Sequence, residues 1–374
     1  MRLGYFSPDF RNHAVAYLTA ELFETHDRDR FEVIAFSFGP EGEDEMRRRM
    51  RAAFDRFHDV GGLGDREVAA LSRELRIDIA IDLAGHTQHS RTGIFAFRAA
   101  PIQVVYAGYL GTLGAPYMDY AIADPTIVPP ASREFHAEKI AYLPAYQAND
   151  SRRAIASRRL ERDELGLPQA GFVFCCFNGS YKIVPATFDR WMRILRQVAH
   201  SVLLLYVGSD AARSNLMEEA KRRGVDPSRL VFADALPREE YLARFRSADL
   251  FLDTLPYNAG TVASDALWAG LPVLTLMGES LASRIAASVL DAIGLPELVT
   301  RSPGEYEARA IELATNPAKL AELKARLERN RATTPLFDTR SFTRNLEAAY
   351  LEMYERHLTG LPPDHIPVMG RDAA

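Results

Sequence analysis

Hydrophobic positions in this chain fall into short apolar runs separated by amphipathic stretches, and the two alternate almost from end to end. In the first half, RLGYFS (Arg2 to Ser7), FEVIAFSF (Phe31 to Phe38), IDIAIDLAG (Ile77 to Gly85), IQVVYAGY (Ile102 to Tyr109), YAIADP (Tyr120 to Pro125) and KIAYLP (Lys139 to Pro144) read as strands. Between them, Asn12 to Glu24, Asp44 to Asp55 and Asp65 to Leu75 carry helical periodicity. The scheme repeats in the second half. FVFCCFN (Phe172 to Asn178), SVLLLYVG (Ser201 to Gly208), LVFAD (Leu230 to Asp234), LFLDTLP (Leu250 to Pro256) and PVLTLMG (Pro272 to Gly278) are its strands. Helical patterns at Pro185 to Val198, Arg213 to Arg223, Arg238 to Ser247, Thr261 to Ala269 and Ser283 to Ile293 alternate with them. Strands that are apolar throughout and alternate with helices predict an α/β protein with parallel sheets covered on both faces. The polar, arginine-bearing segment from Gln147 to Glu164 reads as the link between two such domains, and the tail from Pro303 is helical. Within that tail, Arg340 to His357 has an apolar face of Phe342, Leu346, Ala349, Tyr350 and Met353.

One stretch organises the rest. In PYNAGTVASDALWAGLPVLT (Pro256 to Thr275) a strand runs into the small-residue turn Asn258-Ala259-Gly260, and a helix opens at Thr261. Gly260 permits close approach of a ligand, Thr261 is a suitable N-cap, and the first-turn amides point outward toward any anion. Asp265 follows one turn later, where a carboxylate reaches sugar hydroxyls and repels phosphate. A phosphate seat beside a hydroxyl-binding acid points to a nucleotide or nucleotide sugar; an ordinary capped helix is the alternative.

Two doubly wound domains put their ligand-binding loops at the carboxyl ends of both sheets. After the first strand comes SPDFRNHAVAY, with His13 at the start of a helix, where it can donate, accept or shuttle a proton near neutral pH. After later strands come AGHTQHSR (Ala84 to Arg91) and GYLGTLGAP (Gly108 to Pro116), whose three glycines allow either close backbone approach or tight turns. In the second half FNGSYKIVP brings Asn178, Tyr181 and Lys182 to a strand end, and Pro185 opens the next helix. A lysine above the carboxyl edge of a sheet, near a phosphate seat, is placed to neutralise a leaving diphosphate.

Composition narrows the class. A hydrophobic fraction of 47% and a charged fraction of 25% are those of a soluble globular enzyme, and the length suits two or three domains. The net charge of −5 gives no basic footprint for nucleic acid. The cluster Arg47, Arg48, Arg49 and Arg51 reads as a solvated helix face, with Met46, Met50 and Phe54 on the apolar side. Cys175 and Cys176 are adjacent in an apolar run and badly placed to bridge each other, so they read as buried thiols of a reducing compartment. Apolar runs such as VLLLYV (Val202 to Val207) are too short to span a bilayer, and no signal-peptide pattern opens the chain. A cytoplasmic location is expected.

Several long strings, in order, resemble one family: the nucleotide-sugar glycosyltransferases that modify serine and threonine of intracellular proteins, namely the O-GlcNAc transferases and their SPINDLY-type relatives. The strings are GYFSPDFRNHAVAY, DLAGHTQHSR, RAAPIQVVYAGYLGTLGAPYMDYAIAD, FCCFNGSYKIVP, LFLDTLPYNAGTVASDALWAGLPV, ASRIAASVL and the PLFDT segment from Pro335. The resemblance implies a GT-B fold, two Rossmann-like domains facing across a cleft. It implies a catalytic domain at residues 1–155, a nucleotide-sugar domain at 165–332, and a helical tail, 333–374, packing back on the first domain. By the same resemblance His13 and Lys182 are catalytic, Lys182 supporting the donor diphosphate. Thr261 and Val262 contact phosphate, Asp265 the ribose, and Gly111 and Thr112 lie near the transferred sugar. Asn178, Tyr181 and Gly260 complete the donor site, with the base near Leu236, Arg238, Tyr241 and Arg244.

The chain also departs from the family. It starts directly at the first catalytic strand, without the tandem tetratricopeptide repeats, so a repeat-bearing partner or missing N-terminal region is expected to recruit acceptors. Gly260, Tyr241 and Gly179 stand where the GlcNAc enzymes often carry histidine, histidine and glutamine, and Tyr17 replaces a second histidine of the first loop, as in the fucosyl branch and many bacterial homologues. The reading is an inverting glycosyltransferase that moves a sugar, GlcNAc from UDP-GlcNAc the leading candidate, to protein Ser or Thr. No cofactor or metal is expected, since no Asp-x-Asp pair lies in a suitable loop. The acceptor is protein or peptide; no nucleic acid or membrane is implied. The alternatives are a GDP-fucose-dependent O-fucosyltransferase, a nucleotide-sugar epimerase of the same fold, or a non-catalytic protein-binding module.

Overall fold

The computed structural model describes residues 1–367. The elements run β1 (Arg2–Ser7), α1 (Ala14–Thr25), β2 (Glu32–Ser37), α2 (Glu45–Ala53), β3 (Arg56–Asp59), α3 (Asp65–Glu74), β4 (Ile79–Asp82), α4 (Gly93–Ala96), β5 (Ile102–Val105), β6 (Tyr120–Ala123) and β7 (Lys139–Tyr142). Then come β8 (Val173–Cys176), α5 (Pro185–Gln197), β9 (Val202–Tyr206), α6 (Asp210–Arg222), β10 (Leu230–Ala233), α7 (Arg238–Arg244), β11 (Leu250–Leu252), α8 (Thr261–Trp268) and β12 (Val273–Leu276). The chain closes with α9 (Ile285–Ala292), β13 (Val299–Thr300), α10 (Pro303–Thr315), α11 (Pro317–Thr333), α12 (Thr339–Leu358) and β14 (Ile366–Pro367). It divides into two compact units, Met1–Arg152 with the chain from Pro335 onward, and Arg153–Thr334.

In the first unit the strand order over the described residues is β14-β7-β6-β5-β4-β1-β2-β3, with every pairing parallel. In the second it is β10-β9-β8-β11-β12-β13, again parallel. Each sheet starts at a central strand, runs outward, then returns to the other side of that strand. This reversal opens a crevice at the carboxyl ends of β1 and β4 in one unit and of β8 and β11 in the other. The central strands are apolar throughout because helices cover both faces: Leu3, Tyr5, Phe6, Val33, Ile34, Phe36, Ile79 and Ile81 are fully buried. In the second unit Val173, Phe174, Cys175, Leu203, Leu204, Leu250 and Val273 play the same part. Both cysteines are buried and free, and burial pushes both thiols up.

The structure refines the sequence reading at three places. The arginines of α2 are only partly a solvated face: Arg48 and Arg51 are exposed as read, but Arg47 is buried and pairs with Asp59, while Arg49 joins Glu24 and Asp150. Acids supplied by distant segments made these partners invisible to local pattern. The segment Gln147 to Glu164, read as the link, does hold the boundary between the units, at Arg152 and Arg153, but it is not an open tether. Gln147, Asn149, Asp150 and Arg153 are buried, and Asn149 Nδ2 donates to the Leu336 carbonyl at 3.1 Å within the first unit. Lastly β3, β13 and β14 carry no strand pattern, being two to four residues long at or near sheet edges where polar residues are tolerated.

α12 is fixed to α1 by a buried polar chain. His26 Nδ1 lies 2.8 Å from Glu347 Oε1 and Nε2 lies 2.9 Å from the Tyr5 hydroxyl. A carboxylate only accepts, so Nδ1 carries the proton and Nε2 accepts from Tyr5. The Asp27 amide donates to the same Glu347 oxygen at 2.9 Å.

Candidate functional site

In the second unit the crevice is built from the loops after β8 and β11. Asn178 follows β8, buried, with Nδ2 donating to Asp253 Oδ1 at 3.1 Å and to Thr254 Oγ1 at 2.8 Å. The chain then makes a 3-10 turn, Ser180–Lys182, which leaves Tyr181 78% exposed and turns Lys182 inward. Lys182 Nζ donates to the Asn258 carbonyl at 3.1 Å and stands 3.7 Å above the centre of the Tyr257 ring. Burial lowers its pKa, and the Asp253 carboxylate and Cys176 oppose that shift. The lysine and the turn before α8 thus meet.

The helix start differs from expectation in one respect. Gly260, at φ −99° and ψ −83°, is the N-cap, and Thr261 is the first helical residue. The Gly260 carbonyl accepts the first bond of the helix, from Ser264 N at 3.1 Å. The helix opens at Thr261 as read, but the cap is the glycine before it and not the threonine. A glycine cap has no side chain to compete for the first-turn amides, so the opening of α8, with Thr261 and Val262 half-buried, keeps its donors available to an anion.

Asp265 is not the open acid that the sequence implied. It is 1% exposed and accepts a bidentate pair from Arg238, at 2.8 and 2.6 Å, plus Arg153 Nη1 at 2.8 Å. Arg153, more than a hundred residues earlier, had no local signal. Around α7, the Arg244 guanidinium is buried 4.4 Å over the Phe177 ring and 5.6 Å from Tyr241, with Nη1 donating to the Asp234 carbonyl at 2.6 Å. Arg238 covers Tyr241 at 5.2 Å, and Phe245 meets that ring edge-on at 5.2 Å. Burial pushes the Tyr241 hydroxyl up and the Arg244 guanidinium down. Leu236 stays half-exposed in the loop between β10 and α7. Arg238, Tyr241 and Arg244 therefore form one aromatic and cationic corner, with Leu236 in the loop just before it.

In the first unit, His13 is the N-cap of α1. Its Nδ1 accepts from the Val15 amide at 3.3 Å and lies 3.4 Å from Asp9 Oδ2. Burial lowers its pKa; Asp9 opposes that and Arg11 adds to it. Thr112 Oγ1 donates to buried Glu138 at 2.6 Å, and the Leu113 amide donates to the same carboxylate at 2.7 Å. Of the loop's glycines, Gly108 is required by the protein itself, because a Cβ there would lie 1.9 Å from the Leu83 carbonyl oxygen. Gly114 has φ +63°, and Gly111 packs against the Tyr109 ring.

Two acids at the crevices were passed over: Asp82 at the end of β4 and Asp253 just past β11. Both are buried, and burial pushes both up to about 6. Asp82 Oδ1 accepts from the Ala84 and Gly85 amides at 2.8 and 3.2 Å. A lone acid closing an apolar strand, in IAID and LFLD, was the available signal. Among the described residues, no group of three or more His, Cys, Asp or Glu is arranged to hold a metal ion, and no helix is long and apolar enough to cross a membrane.

Comparison with known proteins adds three findings. The family model described as Glycosyl transferase family 41 matches residues 1–157 and 148–346. Among curated relatives, the probable UDP-N-acetylglucosamine–peptide N-acetylglucosaminyltransferase SEC of Arabidopsis thaliana is 36% identical over 379 residues, covering 100% of this chain and 39% of the relative. The probable transferase SPINDLY of Petunia hybrida is 31% identical over 376 residues, covering 96% of the chain and 39% of the relative. This chain therefore spans about two fifths of the length of these relatives. Among solved structures, a mutant O-GlcNAc transferase of Thermobaculum terrenum superposes with a TM-score of 0.89 at 35% identity, covering 96% of this chain and 68% of that one.

Proposed function

Because this chain belongs to glycosyl transferase family 41 and folds as the two parallel-sheet α/β units of a GT-B enzyme, we propose that it transfers a sugar from a nucleoside diphosphate to Ser or Thr hydroxyls of proteins. GlcNAc from UDP-GlcNAc is the donor that the SEC and Thermobaculum relatives favour by name. The observation that carries the reading is the meeting of Lys182 with the turn that opens α8. An ammonium tied to the Asn258 carbonyl at 3.1 Å and a glycine-capped helix start put two sources of positive potential at one crevice. That is what a departing diphosphate requires, and charge that grows on the leaving oxygen is met by groups already in place. The same two groups do the work that a divalent cation does in other transferases, so the proposed reaction is metal-independent. It proceeds by single displacement, with inversion at the anomeric carbon. Asn178, Tyr181, Thr261, Val262 and Asp265 line or brace the diphosphate and ribose positions, and the corner of Arg238, Tyr241 and Arg244, with Leu236 just before it, takes the base. His13, together with Gly111 and Thr112, serves the acceptor and sugar side.

The test is transfer itself. The protein is incubated with UDP-GlcNAc and a Ser/Thr-rich protein acceptor, with and without EDTA, and the acceptor is weighed by intact-mass spectrometry. A mass increase of one N-acetylhexosamine, insensitive to EDTA and lost in Lys182→Ala, is expected. Transfer that EDTA abolishes and magnesium or manganese restores would reject the metal-independent form. A second reading, fucose from GDP-fucose, is favoured by Gly260 and Tyr17, which depart from the GlcNAc pattern. It predicts mass gain with GDP-fucose alone.

A further inference from the structure

One buried carboxylate, Asp253, lies between Lys182 and the turn that opens α8. Asp253 Oδ1 accepts from the Thr254 amide at 2.8 Å, the Ala259 amide at 2.8 Å and Asn178 Nδ2 at 3.1 Å. Its Oδ2 accepts from Thr275 Oγ1 at 2.7 Å. The bond to Ala259 fixes the residue just before the Gly260 cap. The bonds to Thr254 and Asn178 fix the two ends of the crevice wall. Residues 254–259 are thereby folded into a closed turn whose outward product is the Asn258 carbonyl, the hydrogen-bond acceptor of Lys182. Asn258 is fully buried, and its Nδ2 donates back to the Thr254 carbonyl at 2.6 Å, so the turn is held from both sides.

We infer that Asp253 is a positioning residue which sets the opening of α8 and Lys182 in one frame and keeps the lysine charged. This rests on the reading of Lys182 and the α8 start as the diphosphate seat. Four donors converging on one carboxylate give it the hydrogen bonds a buried anion needs, although burial still raises its pKa to about 6. The groups around Lys182 are the Asp253 carboxylate, the Cys176 thiol, the Tyr257 ring and the Asn258 carbonyl. Of these only Asp253 is an anion near neutral pH, since burial pushes the Cys176 thiol far up. Around Asp253 itself are Lys182, Cys176 and the Tyr306 hydroxyl of α10, which donates to the Asp253 carbonyl at 3.0 Å. Removing the anion lets burial act on the ammonium unopposed, so Lys182 titrates at lower pH.

The two parts of the role separate in two variants. Asp253→Asn keeps an oxygen for the amides of Thr254 and Ala259, and Thr275 Oγ rotates to accept from the new NH₂. Asp253→Ala removes both frame and charge. The reporter is the acceptor-free hydrolysis of UDP-GlcNAc by the whole chain as a function of pH, with UDP binding followed by calorimetry and folding by near-UV circular dichroism. For Asp253→Asn we expect UDP affinity within about 3-fold of wild type and an alkaline limb of turnover displaced to lower pH by about one unit, the size of a charge–charge effect at a partly buried site. For Asp253→Ala, UDP affinity falls by 10-fold or more. If Lys182→Ala turns over like wild type, the diphosphate reading itself has failed. If Lys182→Ala is inactive while Asp253→Asn keeps the wild-type alkaline limb, the inference about Asp253 is overturned and the diphosphate reading stands. Should Asp253→Ala not fold, the Asn variant alone decides by the position of its limb.

Discussion

Asp265 shows how a residue assigned to a ligand can be held by its own protein. Its carboxylate is buried against Arg153 and Arg238, so removing it takes an anion away from two guanidiniums. Breaking a buried pair from one side costs about 3–5 kcal/mol, and the Arg238 side chain, 26% exposed, recovers part of that in water. Asp265→Ala should therefore destabilise the second unit by roughly 3 kcal/mol in urea unfolding, more than a lost ribose contact alone. A midpoint shift within error of zero would show the pairing to be incidental. Asp265→Asn, which keeps an acceptor for one arginine, should fall between the two. His13 is a different case, since its environment acts on protonation. Burial depresses its pKa below the ordinary 6.5, so the imidazole is neutral at pH 7 and gains its proton only at lower pH. If the neutral ring serves the acceptor hydroxyl, wild-type turnover should show an acid limb centred below pH 6.5 that is missing from the residual activity of His13→Ala. An acid limb above pH 6.5, or one that persists in the variant, would remove His13 from the proton path.

Elements were more legible than the contacts between them. Period-2 and fully apolar runs located every central strand, because a parallel strand covered on both faces has no choice but to be apolar. The crevice loops were legible too, since Gly260 and Lys182 stand out at strand ends. What the sequence could not reveal is pairing across long separations: Arg49 with Asp150, Arg153 with Asp265, and His26 with Glu347. Each is an ordinary charged or polar residue until folding brings its partner. The last pair carries a prediction for α12. Burial holds the folded-state pKa of His26 below its unfolded value near 6.5, despite Glu347, with Arg28 adding to the depression and Asp55 opposing it. The unfolded chain thus takes up a proton below pH 6.5 that the native state refuses, and stability is lost as pH falls through that range. Between pH 7 and 5 the melting temperature of wild type should drop more steeply than that of His26→Gln, which cannot titrate. Parallel slopes in the two proteins would show that this histidine does not couple α12 to pH.

At the scale of the molecule, two sheets with the same strand logic each end a crevice strand on a buried aspartate, Asp82 in one and Asp253 in the other. The second unit holds the features proposed to recognise a nucleotide, and there the choice of base is open to experiment. A site built for one base leaves buried polar groups unpaired, or clashing, when the other enters. The Tyr241 ring has Arg238 and Arg244 against it, and Arg244 keeps an Nε without a partner among the described residues. A small pyrimidine can stack on such a corner while its carbonyls take the remaining donors, whereas guanine brings a larger ring and its own donors to a cationic surface that offers few acceptors. UDP should accordingly raise the melting temperature more than GDP at equal concentration. Gly260 is proposed to bear on the sugar instead. Its φ of −99° lies outside the left-handed region that only glycine adopts readily. Gly260→His should increase use of UDP-GlcNAc by filling space beside the phosphate seat, and should leave the UDP-over-GDP order unchanged. Stronger stabilisation by GDP, with GDP-fucose consumed only when an acceptor protein is present, would reverse the assignment of the donor while leaving Lys182 and the α8 start in the same role.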